Sequence, residues 1–272
     1  MSDVWIAGLV AVFAWWFSTG AILATVRLAD AGGRRAHVWA VLLGTPVLVL
    51  GAGLFVDTLS RPEVGAVYAA FLSALLIWGW IEMAFLCGVV AGPNRGQTPS
   101  GVSPLERFAR AFGAVAYHEI LLLVALGAMA LAAREAANPF GFLTFAVLFG
   151  ARITAKLNLF LGVPRIHTGL LPDALAHLPT HFRIRRFTWF YPVSLGLLGA
   201  VLWVLLSALM GAVTAADRTG YALVTAIAAL ALLEHILMVV PLPDDRLWRW
   251  MLPEPSVPAT PPSAPRQSSP AE

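Results

Sequence analysis

Seven stretches, each close to 20 residues long and nearly free of charge, dominate this 272-residue sequence. They cover residues 4–26, 37–56, 64–91, 111–133, 140–163, 188–213 and 221–240. About 20 apolar residues in helical conformation cross the hydrocarbon of a bilayer. A helix is also the one structure such a run can adopt there while satisfying its own backbone. Charge agrees: 12% of residues are charged, about half the share of an ordinary soluble domain. The expected fold is all-α: a polytopic membrane protein, a bundle of about seven transmembrane helices in one domain over 1–252. The first stretch lacks a basic leader and a small-residue cleavage site, so it reads as an uncleaved anchor. After Leu252 the text becomes PEPSVPATPPSAPRQSSPAE, too rich in proline and too poor in apolar surface to pack. Residues 253–272 are therefore expected to form a disordered cytoplasmic tail. A net charge of +3 excludes a nucleic-acid-binding stripe. One cysteine, Cys87, excludes an intramolecular disulfide. No internal repeat is visible.

Orientation follows from the basic residues of the short loops. With the N-terminus outside, the inner segments hold 13 arginines, among them Arg27, Arg34, Arg35, Arg107 and Arg183. The outer loops hold three, Arg61, Arg134 and Arg218. The N-terminus is thus expected in the periplasm and the C-terminus in the cytoplasm. Trp248 and Trp250, just past the last stretch, suit the headgroup layer.

Two cations remain inside the fifth stretch: Arg152 and the chain's one lysine, Lys156. Spaced i, i+4, they share a helix face, and like charges in low dielectric repel strongly unless answered. Three carboxylates lie within other stretches: Glu82, Glu119 and Glu234. Each falls roughly 10–14 Å from the cytoplasmic end of its span at 1.5 Å per residue. Arg152 and Lys156 fall in the same layer. Intramembrane charges face the bundle interior and pair with one another, so a buried ion network of Glu82, Glu119, Arg152, Lys156 and Glu234 is expected.

Two histidines, His118 and His235, join that layer, each adjacent to a glutamate. Three readings compete. A carboxylate-bridged metal site is disfavoured, because di-iron bundles space Glu and His at i, i+3. Ligation of a tetrapyrrole's central metal by His118 or His235 is chemically open, with Ala114, Ala116, Ala228 and Ala231 leaving room for a ring. The preferred reading is a structural polar core that holds the helices in register. A retinal protein is excluded, since the seventh stretch has no lysine.

The longest inner loop, 164–187, carries His177 and His181 at i, i+4, but Pro179 between them spoils a regular helix. Leu170, Leu171, Leu175 and Leu178 instead predict a short amphipathic segment on the membrane surface, with Arg183, Arg185 and Arg186 at the headgroups.

WWFSTGAIL (15–23), YHEI (117–120), ARITAKLNLFLGVPRIHTGLLPDALAHL (151–178) and PLPDDRLWRWML (241–252) together resemble the PuhE-type photosynthetic complex assembly protein 2 family of purple phototrophic bacteria. The block at 151–178 is the most specific, and the resemblance spans nearly the whole chain except the tail. It implies a multi-pass protein of the bacterial inner (intracytoplasmic) membrane, encoded near the gene for the reaction-centre H subunit. The implied role is assembly of the reaction centre and light-harvesting antenna, with adjustment of bacteriochlorophyll supply. The implied partners are the lipid bilayer, reaction-centre or antenna subunits, and pigment such as bacteriochlorophyll or a related tetrapyrrole. The resemblance carries no catalytic residues. The alternative is an intramembrane pigment- or metal-binding enzyme using the His/Glu layer.

Overall fold

The computed structural model describes residues 2–99, 101–164, 171–186 and 188–240. The expected tail at 253–272, the tryptophans at 248 and 250, and Leu170 lie outside them. The described residues are all-α. The helices are α1 (Ser2–Thr58), α2 (Val64–Leu86), α3 (Pro104–Ala132), α4 (Phe140–Leu161), α5 (Phe190–Gly211) and α6 (Ala215–Leu237). All six are long and apolar enough to cross a membrane.

The expected stretches 4–26 and 37–56 belong to the single helix α1, broken at Gly33. A straight helix of its 57 residues would measure roughly 85 Å, nearly three times a bilayer's hydrocarbon core. Gly33 has φ 69°, ψ −168°, a backbone state that only glycine enters without strain. Both arms pack on α2. Ile22 of the first arm meets Gly79, and Gly44 and Gly51 of the second arm meet Met83 and Ile77. Because 22 and 44 both lie near 79–83, the chain reverses between them. The buried pair His37–Asp30, 3.2 Å apart, ties the arms across the break.

Caps set helix ends that hydropathy misplaces. The α3 helix begins seven residues before the expected 111, because Ser103 accepts the Glu106 amide and Pro104 suits the first turn. The α6 helix begins six residues before the expected 221, because Thr214 accepts the Asp217 amide. The α2 helix stops at Leu86, five residues short of the expected 91, and Gly88 follows with φ 68°.

The loops gather at two ends. At one end the Asn138 amide donates to Leu59 O and its side chain to Arg61 O, while Phe140 packs over Gly220. At the other end residues 88–98 meet 174–181: Ala174 lies against Gly88, and Thr98 bonds to Thr180 and His181. The α4 helix touches α2, α3, α5 and α6. It is the element from which the polar interior is built.

The inner loop differs from its expected form. It makes two short 3-10 turns, Asp173–Leu175 and Leu178–His181. Leu175 and Leu178 are buried against Phe85, Ala91 and Ala114. The leucines therefore plug the bundle end and do not lie along the membrane surface, because covering the open ends of α2 and α3 buries more apolar area.

Candidate functional site

The site begins with the pitch of α4. Arg152 and Lys156 lie on one face. Thr154 and Asn158, offset by two residues or about 200°, lie on the opposite one. The helix thus presents a charged stripe to α2 and α3 and a neutral polar stripe to α5 and α6.

On the charged side, the Arg152 guanidinium Nη2 donates to Glu82 Oε2 at 2.8 Å. The Lys156 ammonium donates to Glu119 Oε1 and stands 3.0 Å from His118 Nδ1. An ammonium has donors alone, so toward Lys156 Nδ1 can only accept; it also stands 3.4 Å from Glu119 Oε1, which leaves the far side of the ring to Nε2. That nitrogen stands 3.4 Å from Glu82 Oε1, and neither atom makes a hydrogen bond among the described residues. The order in space is Arg152, Glu82, His118, Lys156, Glu119: two cations and two carboxylates with an imidazole between them. The charges of Arg152 and Lys156 are matched one to one by Glu82 and Glu119. The Phe85 ring lies 4.3 Å from the imidazole, centroid to centroid, with Lys156 Nζ at 5.3 Å and the Arg152 guanidinium carbon at 5.8 Å. Its electron-rich face adds to the stabilisation of both cations.

The fully buried His118 is held by its backbone as well as its ring. Its amide donates to Ala91 O at 3.1 Å, and the Asn94 amide donates to Gly113 O at 3.1 Å. Residues 91–94 thus lie flat against the middle of α3. Gly92 makes this possible, since a Cβ there would sit 2.1 Å from Gly113 O.

On the neutral side, Asn158 donates to Ser194 Oγ at 2.8 Å, and Ser194 to Tyr191 O at 2.7 Å. The Tyr191 hydroxyl donates to His235 O at 3.1 Å. His235 Nδ1 donates to Ala231 O at 2.8 Å, and Nε2 faces the Thr154 hydroxyl at 3.0 Å. Glu234 stands apart from both groups. It is exposed on a cavity wall, and its side chain makes no hydrogen bond or ion pair among the described residues, though it lies within electrostatic reach of Arg152.

That cavity, about 940 Å³ and mainly apolar, lies between α1, α2, α3, α4 and α6 and reaches the inner loop. Glu82, Glu119, Arg152, Lys156 and Glu234 all line it. An apolar pocket of this size with a few convergent polar groups has the makeup of a ligand site. Both ring nitrogens of His118 and of His235 already face protein partners. Of these four nitrogens, His118 Nε2 makes no hydrogen bond among the described residues. Among the described residues no three His, Cys, Asp or Glu side chains are placed to hold a metal.

In the inner loop, the His181 ring bonds to Thr98 at 2.6 Å, and its carbonyl accepts from Arg107. Burial, then His177, then Arg107 lower the His181 pKa. Burial and Arg95 lower that of His177. Both are neutral imidazoles at pH 7.

Sequence reasoning missed Phe85, Thr154, Tyr191 and Ser194. The repeated i, i+4 spacing of Thr154 and Asn158, offset from that of Arg152 and Lys156, was the readable signal for the second stripe. Nothing in the sequence marks Phe85.

Six membrane-length helices enclosing an ion-paired layer define a polytopic membrane protein. Residues 1–259 match the family described as "Protein of unknown function (DUF3623)", and the chain belongs to that family. It is also 48% identical over 259 residues to the "Uncharacterized 30.4 kDa protein in puhA 5'region" of Rhodobacter capsulatus, covering 95% of this chain and 94% of that one. No solved structure matches.

Proposed function

We propose that this protein is a non-enzymatic assembly factor of the bacterial inner membrane. It serves the reaction centre and light-harvesting antenna and adjusts bacteriochlorophyll supply. The observation that carries this is the relative at 48% identity, described by its place in the puhA 5' region. The resemblance of the 151–178 block implies the same setting, beside the gene for the reaction-centre H subunit. The interior supports a scaffold: Arg152 is spent on Glu82, and Lys156 on Glu119. Seven crossings with the N-terminus outside are part of the proposal. They are supported by the break at Gly33 and the loop charge bias.

Deletion of the gene in a phototrophic host tests this. Reaction-centre and antenna absorption should fall and return on complementation, while respiratory growth is unchanged. Normal pigment–protein yield in the deletion strain overturns the proposal.

A second reading, an intramembrane pigment- or metal-binding enzyme, is favoured by the cavity that opens onto Glu119, Lys156 and Glu234. An absorption spectrum and metal analysis of the mildly solubilised protein separate the two. Stoichiometric pigment or metal that is lost on Glu119→Gln would favour the enzyme.

A further inference from the structure

The loop-covered end carries positive charge that no carboxylate among the described residues pairs with. Arg107, in the first turn of α3, is 8% exposed. Its Nη2 donates to Phe160 O at 2.8 Å and His181 O at 2.7 Å, and the guanidinium carbon stands 4.1 Å over the Phe160 ring. Residues 183–185 are pinned beside the end of α4. The Arg183 amide donates to Leu159 O, the Val163 amide to Arg183 O and the Arg185 amide to Val163 O. The Arg185 stem lies over Gly162. Both Arg183 and Arg185 are close enough to act electrostatically on Arg107. Among the described residues none of Arg107, Arg183, Arg185 and Arg186 forms an ion pair. Of the nearby carboxylates, Glu106 is paired with Arg110, and Asp173 is exposed. The partial charges of the α4 C-terminus and the α3 N-terminus have opposite sign and offset one another.

This cluster adjoins the apolar cavity. Leu159, Phe160, Leu178, His181 and Phe182 line the cavity, and three of these are the residues that Arg107 and Arg183 hold. None of these arginines lines the cavity itself, but a cationic cluster one residue away from an apolar chamber has the polarity of one kind of molecule. We infer that this end binds an anionic phospholipid, its phosphate at Arg183 and Arg185 beside Arg107 and an acyl chain in the cavity. Basic pockets between transmembrane helices recognise such headgroups. An acidic peptide would answer the arginines but leave the chamber unfilled. Inorganic phosphate would do the same. The inference goes beyond the assembly role and does not depend on it, because its test uses the purified protein alone.

Native mass spectrometry of the detergent-purified protein with equimolar dioleoylphosphatidylglycerol and dioleoylphosphatidylcholine tests it. The anionic lipid should be retained preferentially. Each of Arg183→Gln and Arg185→Gln should cut that retention about fivefold. The unfolding temperature of the lipid-free protein should not fall, since neither side chain forms an ion pair or side-chain hydrogen bond among the described residues and glutamine keeps most of the Arg185 stem over Gly162. Arg107→Gln is the poorer test, because it also frees two carbonyls. Equal retention of the two lipids overturns the inference, as does unchanged retention in both variants. Displacement of the lipid by inorganic phosphate alone, with no loss from lengthening or shortening the acyl chains, would leave an anion site without a lipid and overturns it too.

Discussion

At the scale of single residues, four of the five charges in the layer are matched in pairs, and that makes substitution tests specific. Lys156→Met leaves Glu119 without its cation, and breaking one side of a buried pair costs about 3–5 kcal/mol. The protein should accumulate poorly in membranes, as measured by immunoblot. Adding Glu119→Gln should restore part of the level, whereas Glu82→Gln should not, because Glu82 is held by Arg152. Rescue by Glu82→Gln alone would show that the pairs are not those described. Glu234 makes the contrasting case. It has no ion-pair partner among the described residues, so Glu234→Gln should leave the protein level unchanged. The sequence placed all five charges in one layer from depth alone. It could not match them, because pairing depends on which helix faces are neighbours, and hydropathy carries no azimuth. His118 illustrates the same limit. Adjacency to Glu119 was plain in the text, but its place between Lys156 and Glu82 arises from three different helices.

At the scale of elements, the ends and breaks of the helices are decided by single glycines and caps. Gly33→Ala forces a side chain into an extended positive-φ state that is essentially reserved for glycine, at about 1–3 kcal/mol. Gly92→Ala should be worse, since the clash is with backbone carbonyls of α3 that cannot swing aside. Overpacking of this kind costs about 1–3 kcal/mol, and thermal unfolding in detergent should show a lower midpoint for both variants. In the inner loop, Leu175→Asp places a carboxylate where no water reaches, because Leu175 is fully buried. It should lower folded yield far more than His177→Gln, whose ring Nε2 has no hydrogen-bond partner among the described residues. Equal effects would mean that the leucines do not plug the bundle. Both loop histidines have depressed pKa values, which sets the direction of a pH effect. Below the ordinary histidine pKa of about 6.5 the unfolded chain binds protons that the folded loop resists. Stability should therefore be level above that pH and fall as pH drops below it. His177→Gln should make the decline shallower in a series of unfolding curves.

At the scale of the whole molecule, loops at one end are rich in arginine and those at the other are poor. An N-out arrangement of seven crossings puts the rich end in the cytoplasm. A reporter active only in the cytoplasm should work when fused after Leu252 and fail when inserted near Asp217. The opposite pattern would also place the lipid-binding end in the wrong leaflet.

The sequence by itself determined the solvent, the helical class and the approximate position of each apolar span. These rest on local sums of hydropathy and charge over about 20 residues, which any run of text contains. It also determined the charged stripe of α4, since helical pitch puts Arg152 and Lys156 on one face. Only the tertiary structure decided that α1 doubles back on α2, that Glu119 belongs to Lys156 and Glu82 to Arg152, that Phe85 completes the layer, and that the loop leucines face inward. Each of these is a contact between segments far apart in the chain. Such contacts follow from how helix faces and loops fit together, a fit that no local pattern records.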